Sequence, residues 1–201
     1  MILSRFILDI EHSDARRDLA NPYDMHRTVK RLCGEETPLW RLESRVVLMQ
    51  SETEPAWSKL AEEYLARDPE QRPFPLEKLR LEGREIRFRL RANPTVSRKE
   101  EVNGAKPKRG QRHSIYDEVG QRAWLDRQGA RGGFEVLAVE ITESGTQRFR
   151  KPGGSQNITI HPCLFEGRLR VTDVAAFQKT LREGLGSAKA FGLGMLSIAG
   201  G

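Results

Sequence analysis

Cysteine is nearly missing from this chain: Cys33 and Cys163 are its 2 examples, far apart and outside any CxxC spacing. A disulfide framework and a cysteine-built zinc site are therefore excluded, and both thiols are expected to be reduced, as in a cytoplasmic protein. Long apolar runs are missing as well. Nothing approaches the roughly 18 residues that cross a bilayer, and the opening Met1-Ile2-Leu3 is broken at Arg5 and Asp9, so neither a membrane span nor a signal peptide is expected. There is no GxxxxGK followed by Ser or Thr, and no strand-borne GxGxxG with an acidic residue downstream, which removes the common nucleotide folds. His12, His113 and His161 have no ligand partners at useful spacing; each is read as structural or exposed, and no metal or small-molecule cofactor is expected.

Basic residues are in surplus. The 201 residues hold 34 Lys and Arg against 28 acidic residues, a formal charge of +6, so an anionic partner is favoured electrostatically. A hydrophobic content of 37% supports one domain of ordinary size or two small ones.

Ile2 to Ile10 alternates as a half-buried strand, with Ile2, Phe6, Leu8 and Ile10 on one face and Arg5 and Asp9 on the other. A short helical turn is expected around Asp14 to Leu19. Asn21-Pro22 then starts a helix, with Asn21 as cap, that runs to Cys33 and stops at Gly34. Leu39 to Met49 reads as a strand pair, Pro55 to Arg67 has helical spacing, and Glu85 to Leu90 sets Ile86, Phe88 and Leu90 against Arg87, Arg89 and Arg91. The order βαββαβ is that of a ferredoxin-like plait, the arrangement that also underlies RNA-recognition domains.

Asn93 to Ser114 is rich in Lys, Arg, Gly, Pro and Asn and reads as a mobile basic loop. Beyond it come a helix near Asp117 to Gln128, strands near Phe134 to Ile141, Asn157 to Ile160 and Arg168 to Thr172, a helix Val174 to Glu183 between Asp173 and Gly184, and a strand near Met195 to Ile198. The expected class is α+β: two tandem ferredoxin-like, RRM-like domains at 1–92 and 116–201, the second less regular, joined by a basic linker at 93–115.

Chemistry gathers on the helix that starts at Pro22. At about 100° per residue, Met25, Val29 and Leu32 form its core stripe, while Tyr23, His26, Arg27 and Lys30 fall largely on the other side. RNA carries its own nucleophile, the 2′-hydroxyl, so an imidazole to move protons, a phenol to orient or donate, and guanidinium to neutralise charge suffice to cut it without metal. The same residues also fit an ordinary solvated basic face. Near the end, GLGSAKAFGLGML packs Gly184, Gly186, Gly192 and Gly194 around Lys189, which suits either close approach to a phosphate or a tight helix-to-strand connection. Arg148, Arg150 and Lys151 lead into Pro152-Gly153-Gly154, a basic hairpin tip that fits a nucleic-acid groove or a solvated turn equally well.

ARRDLANPYDMHRT near the start and GLGSAKAFGLGMLSIA at the end, with RLRANPT, AWLDRQGARGGF and LFEGRLRVTD between them, closely resemble the type I-E CRISPR-associated endoribonucleases, the CasE family. The resemblance implies two ferredoxin-like domains and cleavage at the base of a repeat stem-loop. It also implies a product ending in a cyclic phosphate or its hydrolysis product, held as guide RNA within the Cascade complex. It places catalysis on Tyr23, His26 and Arg27, and matches Arg31 to a lysine that some relatives carry one turn later. RNA contacts are implied for Lys30 and Arg31, for the hairpin at Arg148, Arg150 and Lys151, and for Gly186, Lys189 and Gly192. The implied partners are the CRISPR repeat RNA and other Cascade subunits. Two other functions compete, a non-catalytic subunit that caps the guide-RNA hairpin and a basic scaffold; the paired Tyr23 and His26 favour the enzyme.

Overall fold

A computed structural model describes residues 1–98, 110–150, 153 and 157–199. The chain opens with β1 (Ile2–Ile7), then α1 (Ser13–Ala20) and α2 (Pro22–Cys33), then the hairpin β2 (Leu39–Glu43) and β3 (Val46–Ser51), and finally β4 (Glu70–Pro73). These strands form one antiparallel sheet in the order β2-β3-β1-β4. Its inner face, with Phe6, Val47 and Met49, closes on Met25, Val29 and Leu32 of α2, as the helical spacing predicts. Ile10 departs from the expected strand face and is exposed, because β1 ends at Ile7.

The second sheet is built from β5 (Glu85–Ala92), β8 (Phe134–Ser144), β11 (Cys163–Val171) and β12 (Leu196–Ala199), in the order β12-β5-β11-β8. Helices α3 (Glu118–Arg131) and α4 (Val174–Glu183) pack Trp124, Leu125, Phe177 and Leu181 against it. In both sheets the first and third strands are central, the fourth lies beside the first, and the second is outermost. This is the ferredoxin-like plait, present twice.

Three expectations need correction. The strand expected at Glu85 to Leu90 to close the first plait runs to Ala92 and opens the second: it pairs with β11 and β12. Strand pairing thus divides the plaits between β4 and β5, earlier than residue 92. Pro55 to Arg67 is not a helix but one 3-10 turn, Trp57–Lys59, inside an irregular segment. Its backbone bonds are drawn to neighbours instead: Ala56 N donates to Leu32 O at 2.9 Å and Ala66 N to Ile7 O at 2.9 Å. Third, part of the expected basic linker is ordered, because β6 (Thr95–Arg98) and β7 (Gln111–Ser114) pair as a hairpin. Residues 99–109 of that linker lie outside the described residues.

Two buried polar groups lock the framework. Asp18, 1% exposed, accepts from Thr28 Oγ1 at 2.6 Å, Tyr64 Oη at 2.7 Å and Arg17 Nε at 2.9 Å, tying α1 to α2 and to the irregular segment. Burial, then the Asp18 carboxylate, raises the Tyr64 phenol far above its usual pKa. Across the seam, Arg41 of β2 is 2% exposed; it donates to Glu43 at 2.7 Å and, from Nη1, to Ser197 Oγ at 3.0 Å and Arg89 O at 3.3 Å in the second sheet.

Candidate active site

Helix α2 is set by its ends. Asn21, extended at φ −136°, accepts from Tyr23 N at 3.0 Å, Pro22 follows where no amide is needed, and Gly34 at φ 66° turns the chain away. With the apolar stripe buried, Tyr23, His26, Arg27 and Lys30 share the opposite face at i, i+3, i+4 and i+7. Tyr23 and His26 are half-buried, whereas Arg27, Lys30 and Arg31 are exposed. Arg27 lies 3.9 Å from Asp24, a weak ion pair that leaves its charge available. Arg31 follows Arg27 by one helical turn, and its carbonyl accepts from Lys59 at 3.1 Å.

The imidazole of His26 is held below its usual pKa, first by burial and then by the Lys30 ammonium one turn away. It is therefore neutral at pH 7 and ready to accept a proton.

The other two basic segments converge on the same helix end. The strands β9 (Gln147–Arg150) and β10 (Asn157–Ile160) form the expected hairpin, with Phe149 turned inward and Arg148 and Arg150 outward. Lys151, expected at its tip, lies outside the described residues. Asn21, already the helix cap, donates its amide to Arg150 O at 3.1 Å and so fastens the hairpin to α2. The glycine-rich segment contributes the turn Lys189–Phe191, and Phe191 meets Phe149 edge to face at 4.7 Å. Tyr23 packs against the small buried cluster of Phe149, Ile160 and Leu193, as do Ile158 and Phe191.

The glycines themselves serve the backbone. Gly192 is buried at φ 78°, and a Cβ there would stand 2.6 Å from the Trp40 ring. Gly186 is exposed at φ 77°, with room limited by Trp124 at 2.9 Å. Lys189, half-buried, donates to Glu183 O at 2.7 Å, which anchors the turn. Sequence reasoning missed three parts of this site: the double duty of Asn21, the Phe149–Phe191 pair, and the Asp18 cluster beneath. None has a local pattern; the aromatic content of both basic segments was the available clue. His12, read as structural, accepts from Asp14 N at 3.2 Å as the cap of α1.

A cavity of about 190 Å³ lies under Pro22, bounded by Met25, Trp40, Arg148 and Phe191. It is smaller than ordinary small-molecule pockets of roughly 300 Å³ and more, so the chemistry of α2 faces a surface. Three larger hollows, about 390, 510 and 520 Å³, open around Arg41 and include no residue of α2. Among the described residues no group of three or more His, Cys, Asp or Glu could hold a metal ion, and no helix is long and apolar enough to cross a membrane.

Residues 1–200 match the family described as CRISPR associated protein, and a curated relative, the CRISPR-associated endoribonuclease Cse3 of Thermus thermophilus, is 37% identical over 99% of this chain and 100% of its own length. The chain belongs to the CasE family of CRISPR-associated endoribonucleases. A second relative, the Cascade subunit CasE of Escherichia coli, is 31% identical over 58% of this CasE chain and 59% of its own. Among solved structures, Cse3 bound to a 19-nucleotide RNA superposes with a TM-score of 0.84 at 36% identity, covering 99% of this chain and 100% of that one. Cas6e from Escherichia coli superposes at 0.74 with 28% identity, each chain covered in full. The doubled plait of this CasE chain is thus the family's own fold.

Proposed function

We propose that this chain cuts CRISPR repeat precursor RNA at the base of its stem-loop and keeps the product as guide RNA within Cascade, in the cytoplasm. The observation that carries the reading is the neutral His26 on a cationic helix face at which two further basic segments meet. Support for the substrate comes from relatives: one curated relative is an endoribonuclease, one solved structure is of Thermus thermophilus Cse3 with an RNA representing a pre-cleavage complex, and another relative is a Cascade subunit.

In this reading His26 takes the proton of the 2′-hydroxyl next to the scissile phosphate. The 2′-oxygen bonds to phosphorus, the bond from phosphorus to the 5′-oxygen breaks, and that oxygen takes a proton from water as it leaves. The products are a 2′,3′-cyclic phosphate and a 5′-hydroxyl. Tyr23 orients the reacting groups, and Arg27 and Arg31 offset charge on the pentavalent phosphate, where fixed cations act most strongly. Lys30 adds to burial in holding the His26 pKa down and, with Arg148, Arg150, Lys151 and Lys189, holds the phosphate backbone; Gly186 and Gly192 give the chain the close turns that put Lys189 there.

The test is single-turnover cleavage of the cognate repeat RNA. His26→Ala should slow it by roughly 100- to 10,000-fold, the usual worth of a proton-transfer group, with affinity little changed. A 2′-deoxy sugar at the scissile position should abolish cleavage while leaving the complex intact. Tight binding with no cleavage by the unaltered protein would make it a hairpin-capping subunit instead.

A further inference from the structure

An exposed tyrosine on the second plait is held by its neighbours at both backbone and ring. Tyr116, 68% exposed, follows the β6–β7 hairpin by two residues. Its carbonyl accepts from Gln121 Nε2 at 3.2 Å, and Gln121 is itself 3% exposed. The ring meets His161 edge to face at 4.6 Å with planes 74° apart, and its hydroxyl lies 3.3 Å from His161 Nε2. His161 is fixed in turn: Thr146 Oγ1 stands 3.0 Å from Nδ1, and its backbone N donates at 3.1 Å to Asn93 Oδ1. Asn93 is 6% exposed and donates to Ser187 Oγ at 3.3 Å in the glycine-rich segment.

This bracing serves no core. Two aromatic planes near right angles leave at least one full face of the tyrosine clear of the imidazole, and the residue is exposed. A side chain already resting on a neighbouring ring loses less entropy than a free one when a flat ligand covers it. The hollow beside the pair is about 70 Å³, too small to admit a nucleobase, so such a ligand would lie on the ring.

The position is also telling. Ile160 packs in the cluster around Tyr23, and His161 is the next residue, about 3.8 Å along the backbone. Exposed Arg98 and Arg112 on the adjoining hairpin supply cations for a phosphate. We propose that Tyr116, positioned by His161, is a stacking platform for an unpaired nucleotide of the RNA that flanks the stem near the cleaved phosphate. The proposal rests on the functional reading above, since it takes the ligand to be the repeat RNA.

The experiment uses the full chain and an uncleavable repeat RNA, 2′-deoxy at the scissile position, with 2-aminopurine placed at one unpaired flanking position at a time. The unaltered protein should quench the fluorescence at one of these positions. Tyr116→Ala should abolish that quenching and weaken binding roughly 5- to 150-fold, the worth of one base stacked on an aromatic ring. The salt dependence should not change, because no charge is removed. Tyr116→Phe should behave as the unaltered protein, and a stem-loop trimmed of its flanks should bind Tyr116→Ala and the unaltered protein alike. Binding of the flanked RNA by Tyr116→Ala within twofold of the unaltered protein would overturn the platform. Equal weakening with and without flanks would do the same by exposing a structural role. If the unaltered protein did not prefer repeat RNA to random RNA, the functional reading would fall and the platform with it.

Discussion

Replacing Gly192 with alanine separates a packing role from an RNA-binding role in the glycine-rich segment. The position has φ 78°, where an L-residue carries a backbone cost of about 1 to 2 kcal/mol. The new methyl would also stand 2.6 Å from Cζ3 and 2.9 Å from Cη2 of Trp40, a ring 2% exposed and locked in the first core. Overpacking of this kind costs about 1 to 3 kcal/mol, so the sum is about 2 to 5 kcal/mol. For a chain of this length that corresponds to a fall in melting midpoint of roughly 4 to 20 °C. Gly83→Ala is the matched control, because Gly83 has φ 64° with nothing within 4 Å and should show the backbone cost alone. Melting would be followed by tryptophan fluorescence, with repeat-RNA affinity measured well below the transition. Should Gly192→Ala melt within a degree of the unaltered protein yet lose RNA affinity tenfold, the packing account would be wrong and the glycine would belong to the RNA-binding surface.

Lys30→Ala removes one of the two influences that hold His26 below its usual pKa, so the acidic limb of the kcat/KM profile should move to higher pH; a limb that stayed put or moved lower would refute the base role. The sign carries to stability: folded His26 binds a proton less readily than the unfolded chain, so stability should fall as pH drops from about 6.5 through the lowered pKa, and a His26→Gln variant should lose that component in urea titrations at each pH. Arg148→Ala with Arg150→Ala should flatten the log–log salt dependence of RNA binding by roughly 0.7 to 0.9 for each phosphate no longer neutralised, without unfolding, because both side chains point outward while Phe149 keeps the hairpin seated. Asp18→Ala strands the buried hydroxyls of Thr28 and Tyr64 and should cost about 2 to 4 kcal/mol by the shift in urea midpoint; a shift under about 0.5 kcal/mol would mean water replaces the carboxylate.

Helix α2 was legible in the sequence almost residue for residue, because its cap, its proline and its apolar stripe are all local chemistry. The same holds for the β2–β3 hairpin and for α4 between Asp173 and Gly184. What escaped was partnership. Alternation at Ile86, Phe88 and Leu90 announces a strand with one buried face, yet says nothing of which sheet receives it, and the answer is set by β11 and β12 more than 70 residues downstream. Tyr64 illustrates a second limit. Its segment has helical spacing, but the buried Asp18 carboxylate and backbone bonds to β1 and α2 outweigh a local preference worth only tenths of a kcal/mol per residue.

The candidate site lies where the plaits meet, and this bears on how it works. The face with Tyr23 and His26 comes from the first plait, whereas the hairpin and the glycine-rich turn come from the second. Their relative position depends on groups that span the seam: Arg41 reaching Ser197 and Arg89 O, Gln50 donating to Leu181 O at 2.7 Å, and Asn21 donating to Arg150 O. The first two are buried, so removing one leaves unpaired polar atoms between the sheets and loosens the whole seam. Asn21 is different: its tie is exposed and joins only the helix end to the hairpin. Since a misplacement of about 1 Å can cost on the order of a hundredfold in rate, that single amide ties the basic hairpin to the helix that carries His26 with little influence on the cores. On the proposed function, substrate held by the hairpin would be set in register with His26 through this one helix cap, which hydrogen-bonds a strand 129 residues away.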